Sequence, residues 1–376
     1  TVEIKVRDDE GNMTVSEFFI RESVHGPVVS EKDGKAYALR VVGLDQPHVF
    51  RQYFDMARAK TLKSFQDAIR PLQNPFFTIM YADKDGHIMH VFGGRTPIRP
   101  SGDWNWLGVV PGDSPETIWN ETHSYDELPK SIDPESGWLQ NANDPPWTTT
   151  FPRAIIRKNY PDYMSQNFMH FRAERSARMA LEDGSITFAE LIDYKMDTKM
   201  ELADRVLDDL LALTENSNDE IIIEASQVLS NWDRQTNGNS QGAVLFKAWV
   251  DSVKFFVNKG ELFEGGWDEE KAMDTPFGLH PSVNYLSPLK SAAESVLKTY
   301  GQLDVPWGQV YRLIRDDVDL PANGGPGDPY GLFRVTNFAP VKDDRFMAIG
   351  GDSYQAVIEF GDKPKAMALL SYGNAS

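Results

Sequence analysis

Apolar and polar positions alternate from the first residues. Val2, Ile4 and Val6 interleave with Glu3, Lys5 and Arg7, the two-residue period of a half-buried strand. After the turn-forming run Asp8-Asp9-Glu10-Gly11-Asn12, Met13 to Ile20 alternates again. Val24–Val29 and Ala36–Val42 flank Glu31-Lys32-Asp33-Gly34-Lys35, which predicts a hairpin closed by an Asp-Gly turn. Phe50, Phe54, Ala57, Leu62, Phe65 and Ile69 then recur at helical spacing and predict a helix over 50–69. Phe76–Tyr81 and His87–Phe92 bracket Ala82-Asp83-Lys84-Asp85-Gly86, a second hairpin.

From Gly93 to Pro152 the period is lost among Gly, Pro, Asp, Asn and Trp, and loops of that length usually line a site. Helical spacing dominates from Tyr163 to about Val257. It opens with the capping box Thr187-Phe188-Ala189-Glu190 and continues in helices expected at Ile222–Asn231, Ala243–Asn258 and Pro288–Tyr300. Residues 304–335 are Pro- and Gly-rich, and Ala348–Leu370 reads as strands again, with Leu369-Leu370-Ser371-Tyr372 extending the last one. The expected class is α+β, in three segments: a β-rich core segment with long loops over 1–160, a mainly helical one over 161–303, and returning core strands over 304–376. No initiator Met or leader-like stretch precedes the first strand, so the chain is expected to be a piece of something longer.

Charge narrows the partners. The chain has 376 residues, with 38 Lys+Arg against 56 Asp+Glu and a net charge of −18. A field of that sign repels phosphate, so neither nucleic acid nor an anionic membrane is an expected partner. Mean hydropathy is −0.44, and no apolar run approaches the roughly 20 residues of a spanning helix. The absence of Cys excludes disulfides, thiolate zinc sites and a cysteine nucleophile.

Few motifs carry chemistry by themselves. Asp83-Lys84-Asp85-Gly86 opens like a calcium loop but lacks the later oxygen ligands, so a turn is expected. His87 and His90 point to opposite faces of a strand, and no metal or other cofactor is expected. Gly324-Gly325-Pro326-Gly327-Asp328-Pro329 lacks the Lys-Ser/Thr of a phosphate cradle. Acidic pairs such as Asp268/Glu269 and Asp316/Asp317 suit a two-carboxylate glycosidase, a reading that rests on composition alone. Trp138-Leu139-Gln140-Asn141-Ala142-Asn143-Asp144-Pro145-Pro146-Trp147 is more informative. A rigidly held carboxamide there can donate to an oxyanion without titrating, while the ordinary alternative is that Asn141 and Asn143 bond turn backbone.

Several segments, in order, resemble the penicillin acylase family of N-terminal-nucleophile amidohydrolases. They are His25-Gly26-Pro27-Val28-Val29, Tyr81-Ala82-Asp83 with Gly86-His87-Ile88, and Gly137 through Pro145. Phe171-Arg172-Ala173-Glu174-Arg175, a following helix with Asp197, and Trp232-Asp233 continue the set. Val305-Pro306-Trp307-Gly308, Leu320 through Gly325, and Gly350-Gly351-Asp352-Ser353-Tyr354 look closest to the branch holding aculeacin A acylases and acyl-homoserine-lactone acylases.

The resemblance implies a four-layer αββα core and a large part of a β subunit cut from a precursor. The family nucleophile, an N-terminal Ser with its own α-amino group as base, lies outside this sequence, and Thr1 does not replace it. By residue match, Asn143 is the oxyanion-hole side chain and Arg175 an electrostatic group near the reaction. Phe77 matches a lining position of the acyl pocket, and Trp147 is a further substrate-binding candidate. The implied partners are an α subunit, the remaining β-subunit segments and a small-molecule acyl amide, in a periplasmic or secreted setting. The chain alone is expected to be inactive. The alternative is a non-catalytic binding or structural remnant of the same fold.

Overall fold

Asp8 Oδ1 accepts from the main-chain N–H groups of Glu10 (3.0 Å) and Asn12 (2.8 Å), closing the turn between β1 (Val2–Arg7) and β2 (Met13–Phe18). In β3 (Glu22–Ser23), β4 (Gly26–Lys32) and β5 (Lys35–Ala38), the expected Asp33-Gly34 turn joins the last two strands. Both turn residues have positive φ, 53° and 72°, which matches the twist of the strands they join. The computed structural model describes residues 1–256 and 262–370. Their contacts form two units that differ from the three segments drawn from composition. Unit 1 is Thr1–Asp133 with Ile155–Gln166, and unit 2 is Pro134–Ala154 with Asn167–Ser376.

The helix expected over 50–69 is two helices, α1 (Val49–Arg58) and α2 (Leu62–Ile69). The break falls where Ala59 turns extended and the Thr61 hydroxyl accepts from the Ser64 N–H at 3.2 Å, starting a new helix. Beyond them β6 (Ile79–Ala82), β7 (Ile88–Val91) and β8 (Lys130–Ile132) form an antiparallel sheet. Asp83 closes the β6–β7 turn by accepting from the N–H groups of Asp85 and His87. β6 starts at Ile79, so Phe76 and Phe77 lie outside it. Ile79 pairs with Val91, and the partner strand is then turned away by Gly93 and Gly94, both at positive φ. Ile69, Leu72, Met89, Val91 and Leu128 form the core of this unit. His87 and His90 do face opposite ways: His87 bonds Asp133 at 2.7 Å, and His90 is fully buried.

In unit 2, α3 (Phe171–Leu181) and α4 (Phe188–Lys195) precede α5 (Glu201–Thr214), α6 (Glu220–Ser230), α7 (Ala243–Phe256) and α8 (Leu286–Tyr300). The capping box at α4 forms as expected: Glu190 accepts from the Thr187 N–H at 2.8 Å, and the Glu190 N–H donates back to Thr187 Oγ1. Positions 257–258 of the helix expected over Ala243–Asn258 lie outside the described residues. Asp197 sits in the connection between α4 and α5 instead of on a helix. Leu210, Phe246, Trp249, Leu289 and Trp307 anchor the large core between these helices.

The Pro/Gly-rich stretch 304–335 holds more structure than its composition suggests. A helical turn α9 (Trp307–Val310) leads into β9 (Tyr311–Arg315) and β10 (Val318–Pro321), and a second turn α10 (Gly327–Tyr330) follows. With β11 (Thr336–Pro340) and β12 (Phe346–Gly351) the strands form a sheet in the order β10-β9-β12-β11, parallel only between β9 and β12. β13 (Tyr354–Glu359) and β14 (Lys365–Leu370) make a separate hairpin, and Ser371-Tyr372 lie outside the described residues. Among the described residues, no helix is long and apolar enough to cross a membrane.

Candidate active site

The face of α3 that bears Ala173 and Ala177 is fully buried, and it packs with Ala142, Met169 and Ala272. Alanine at i and i+4 leaves no bulk on that face, so the loop carrying Ala142 lies close against the helix. Within the loop, the Asp144 carboxylate accepts from the Ala142 N–H (2.8 Å), from Gln140 Nε2 (2.7 Å) and from the Thr148 hydroxyl. Gln140 Nε2 also reaches Thr148 O, and Thr149 Oγ1 donates to Gln140 O, so the loop is cross-tied over ten residues. Burial raises the Asp144 pKa even though these donors pull it down.

That tie leaves Asn143 at the tip, exposed and with φ 69°, a left-handed conformation that Asn tolerates better than most residues. Its side-chain oxygen accepts from Arg172 Nη2 at 3.0 Å, and Arg172 Nε donates to Asp328 Oδ1 at 2.7 Å. A guanidinium has donors only, so it selects the amide oxygen and turns Asn143 Nδ2 the other way. Among the described residues Nδ2 donates no hydrogen bond to protein. Asn141, by contrast, takes the ordinary turn role and accepts from the Asn143 N–H at 3.4 Å.

Arg172 needs space to lie across this site. A Cβ on Gly327 would stand 2.7 Å from Arg172 Cδ and 2.8 Å from Val335 Cγ2. The Gly-rich run 324–329, which lacks a phosphate cradle's companions, therefore seats an arginine. Sequence reasoning missed Arg172, Gly327 and Asp328 as one group. The available signal was an acid directly after the last Gly of that run, but its partner lies 156 residues away.

The other expected site residues have separate surroundings. Arg175 makes a bidentate ion pair with Asp197, at 2.9 and 2.8 Å. Burial lowers its pKa, and the pair outweighs that and leaves it raised. Trp147 is 2% exposed, so its ring offers a ligand almost no surface. Phe77, in unit 1, is 62% exposed and is not strand core.

Beneath α3, Glu174, Glu201, Arg178 and Arg205 form a buried ionic cluster. Arg205 binds Glu174 and Glu201, Arg178 binds Glu201 at 3.1 Å, and both arginines donate to Met273 O. Burial pushes Glu174 up to about 8, against the pull of Arg205.

The acidic pairs suggested for a glycosidase serve local structure. Asp268 accepts from the Glu270 N–H, Glu269 lies 3.5 Å from Arg153, and Asp316 occupies the β9–β10 turn at φ 52°. Among the described residues, no group of three or more His, Asp or Glu is placed to hold a metal.

A family model described as penicillin amidase matches residues 1–376. The chain belongs to the penicillin amidase family. It is 24% identical over 418 residues to the acyl-homoserine lactone acylase PvdQ of Pseudomonas fluorescens (strain Pf0-1), covering 100% of this chain and 52% of that protein. It is 27% identical over 236 residues to the penicillin acylase 2 proenzyme of Pseudomonas sp. (strain SE83), across 62% of this chain and 29% of the relative. The thermostable penicillin G acylase from Alcaligenes faecalis aligns with a TM-score of 0.57 at 17% identity, over 81% of this chain and 62% of that one. The fold is therefore that of a penicillin acylase, and the α+β expectation holds. This penicillin amidase family chain spans about half the length of the curated relatives it matches first.

Proposed function

We propose that this chain is the oxyanion-stabilising part of an N-acyl amide hydrolase whose serine nucleophile lies outside these residues. Attack of the serine oxygen on the amide carbonyl gives a tetrahedral intermediate with negative charge on the former carbonyl oxygen. Asn143 Nδ2–H donates to that oxygen. The serine's α-amino group takes the hydroxyl proton on attack and passes it to the amine as the C–N bond breaks, and water then hydrolyses the acyl-enzyme ester to release the acid and restore the serine.

One observation carries this reading: Arg172 takes the Asn143 oxygen, which leaves the amide N–H groups directed away from it and unspent on protein. Being neutral, the amide offers the same donor across the working pH range. Arg172 and Asp328 act as positioning residues in this scheme. Arg175, tied to Asp197, contributes positive potential without an assigned contact to substrate. The exposed ring of Phe77 suits an apolar acyl chain, and Trp147, within the loop's own sequence, is buried. The named activities of the relatives, on acyl-homoserine lactones and penicillins, favour an acyl amide as substrate class. We further assign the chain to a four-layer αββα core completed by an α subunit and other β-subunit segments from one processed precursor. The location that fits is periplasmic or secreted.

The test is amide hydrolysis by the full-length gene product with a series of N-acyl homoserine lactones and a penicillin, combined with N-terminal sequencing of its processed chains. Asn143→Ala is expected to lower kcat by about 10²–10³-fold with little change in KM. Full activity in that variant, or no hydrolysis by the parent, overturns the proposal. The second outcome favours a non-catalytic remnant.

A further inference from the structure

The β13–β14 hairpin is an incomplete sheet. Two strands alone are marginal in water, and among the described residues this pair has no third strand on either edge. One face rests on α4, which buries Val357 and Gln355. Their cross-strand partners Met367 and Leu369 stay uncovered, with Met367 54% exposed. On the opposite face Tyr354, Ile358 and Leu370 are exposed as well.

Between the hairpin and α4 runs a cleft of about 210 Å³ walled by Ile192, Met196, Val357, Met367 and Leu369. Gln355, 3% exposed, lines it, and neither its Oε1 nor its Nε2 has a hydrogen-bond partner among the described residues. A buried carboxamide with both ends unpaired is unfavourable, so the fold is expected to supply a partner.

We infer that this edge and cleft receive an extended, apolar polypeptide segment from the part of the full-length protein that this chain does not span. Three features select that occupant. The cleft is smaller than the roughly 300–1,000 Å³ of small-molecule sites, a size that suits one or two side chains. A free donor and a free acceptor on one carboxamide match the C=O and N–H of a peptide group. The curated relatives also carry nearly as much chain again as is present here. The segment adds to the open edge of β14, lays alternate side chains over Met367 and Leu369, and bonds Gln355. This rests on the proposal that the chain works with further segments of one precursor, and it names the surface they use.

A photo-reactive diazirine residue at position 367 of the full-length gene product tests it, with position 298 on α8 as the control. After irradiation and digestion, adducts from position 367 are expected on peptides outside residues 1–376, and Leu369→Asp is expected to abolish them. Adducts confined to residues 1–376, or to a second copy detected by mixed-isotope labelling, overturn the inference. So does quenching by solvent alone, or recovery of only a small molecule. The readout is independent of catalysis: Asn143→Ala should leave the adducts unchanged, so failure of the acylase reading and failure of this docking surface are told apart.

Discussion

In the proposed mechanism, replacing Arg172 with Met removes the group that holds the Asn143 oxygen and turns its Nδ2 toward the oxyanion. The side chain bridges Asn143 Oδ1 at 3.0 Å and Asp328 at 2.7 Å. Two losses follow, and they differ in size. Free rotation of the amide halves the competent population, which costs only about twofold. Loss of a hydrogen bond to a charged donor, worth about 1.5–3 kcal/mol, frees the tip of the loop to move. If most of that restraint had been spent on placing Nδ2, the rate falls by about 10–100-fold. The upper bound is complete loss of the donor, about 10²–10³-fold as expected for Asn143→Ala. Initial-rate kinetics on the full-length protein should place the loss in kcat, with KM nearly constant, because the oxyanion exists only in the transition state. The double variant is decisive. If Arg172 acts through Asn143, adding Arg172→Met to Asn143→Ala costs nothing further. An undiminished Arg172→Met penalty in the Asn143→Ala background refutes the positioning role, and an unimpaired single variant does the same.

Three further outcomes follow from the packing and the titrating groups. Gly327→Ala places a methyl 2.7 Å from Arg172 Cδ, so it should reduce kcat in the same direction while the circular dichroism spectrum is retained. Burial raises Glu174 to about 8 from 4.5, so the folded state holds a proton that the unfolded chain releases between those values. Stability should therefore decline as pH rises through that window, by up to about 1.4 kcal/mol per unit, and urea titrations of Glu174→Gln should show a flatter dependence. His90 runs the other way. Burial lowers it to about 4, so its contribution is complete above about 6.5 and is lost as pH falls toward 4, a trend that His90→Phe should remove.

Features built from neighbouring residues were legible in the sequence. The Asp33-Gly34 hairpin, the Thr187/Glu190 capping box and helices α6 and α8 each depend on groups within about one turn of each other. The break between α1 and α2 was also written locally, in Thr61 and Ser64, but the apolar spacing of Phe50 to Ile69 ran across it and masked it. β9 and β10 were hidden because the acidic turn Asp316-Asp317 and the surrounding Pro and Gly read as loop. In the candidate site, the loop around Asn143 stood out because its carboxylate, amides and prolines are adjacent. The arginine that orients it did not. Arg172 and Arg175 sit one turn apart on α3, and only tertiary structure sends the first to Asn143 and the second to Asp197. That Phe77 is exposed and Trp147 buried likewise depends on tertiary structure, which aromatic composition does not encode.

The alternation of the two units along the chain bears on how such a gene can be recombined. Residues 134–154 belong to one unit, although the stretches on both sides of them belong to the other. A crossover breakpoint at 133 or at 166 would therefore orphan part of a core: Met164, for example, packs with Leu72 and Met89. Exchange of the 134–154 cassette alone leaves that core whole and delivers Asn143 together with Gln140, Asp144 and Thr148, which hold its shape. Chimeras between distant homologues should tolerate that swap where the incoming loop still meets an alanine face and an arginine on α3, and should misassemble when built by a single crossover at 133 or at 166.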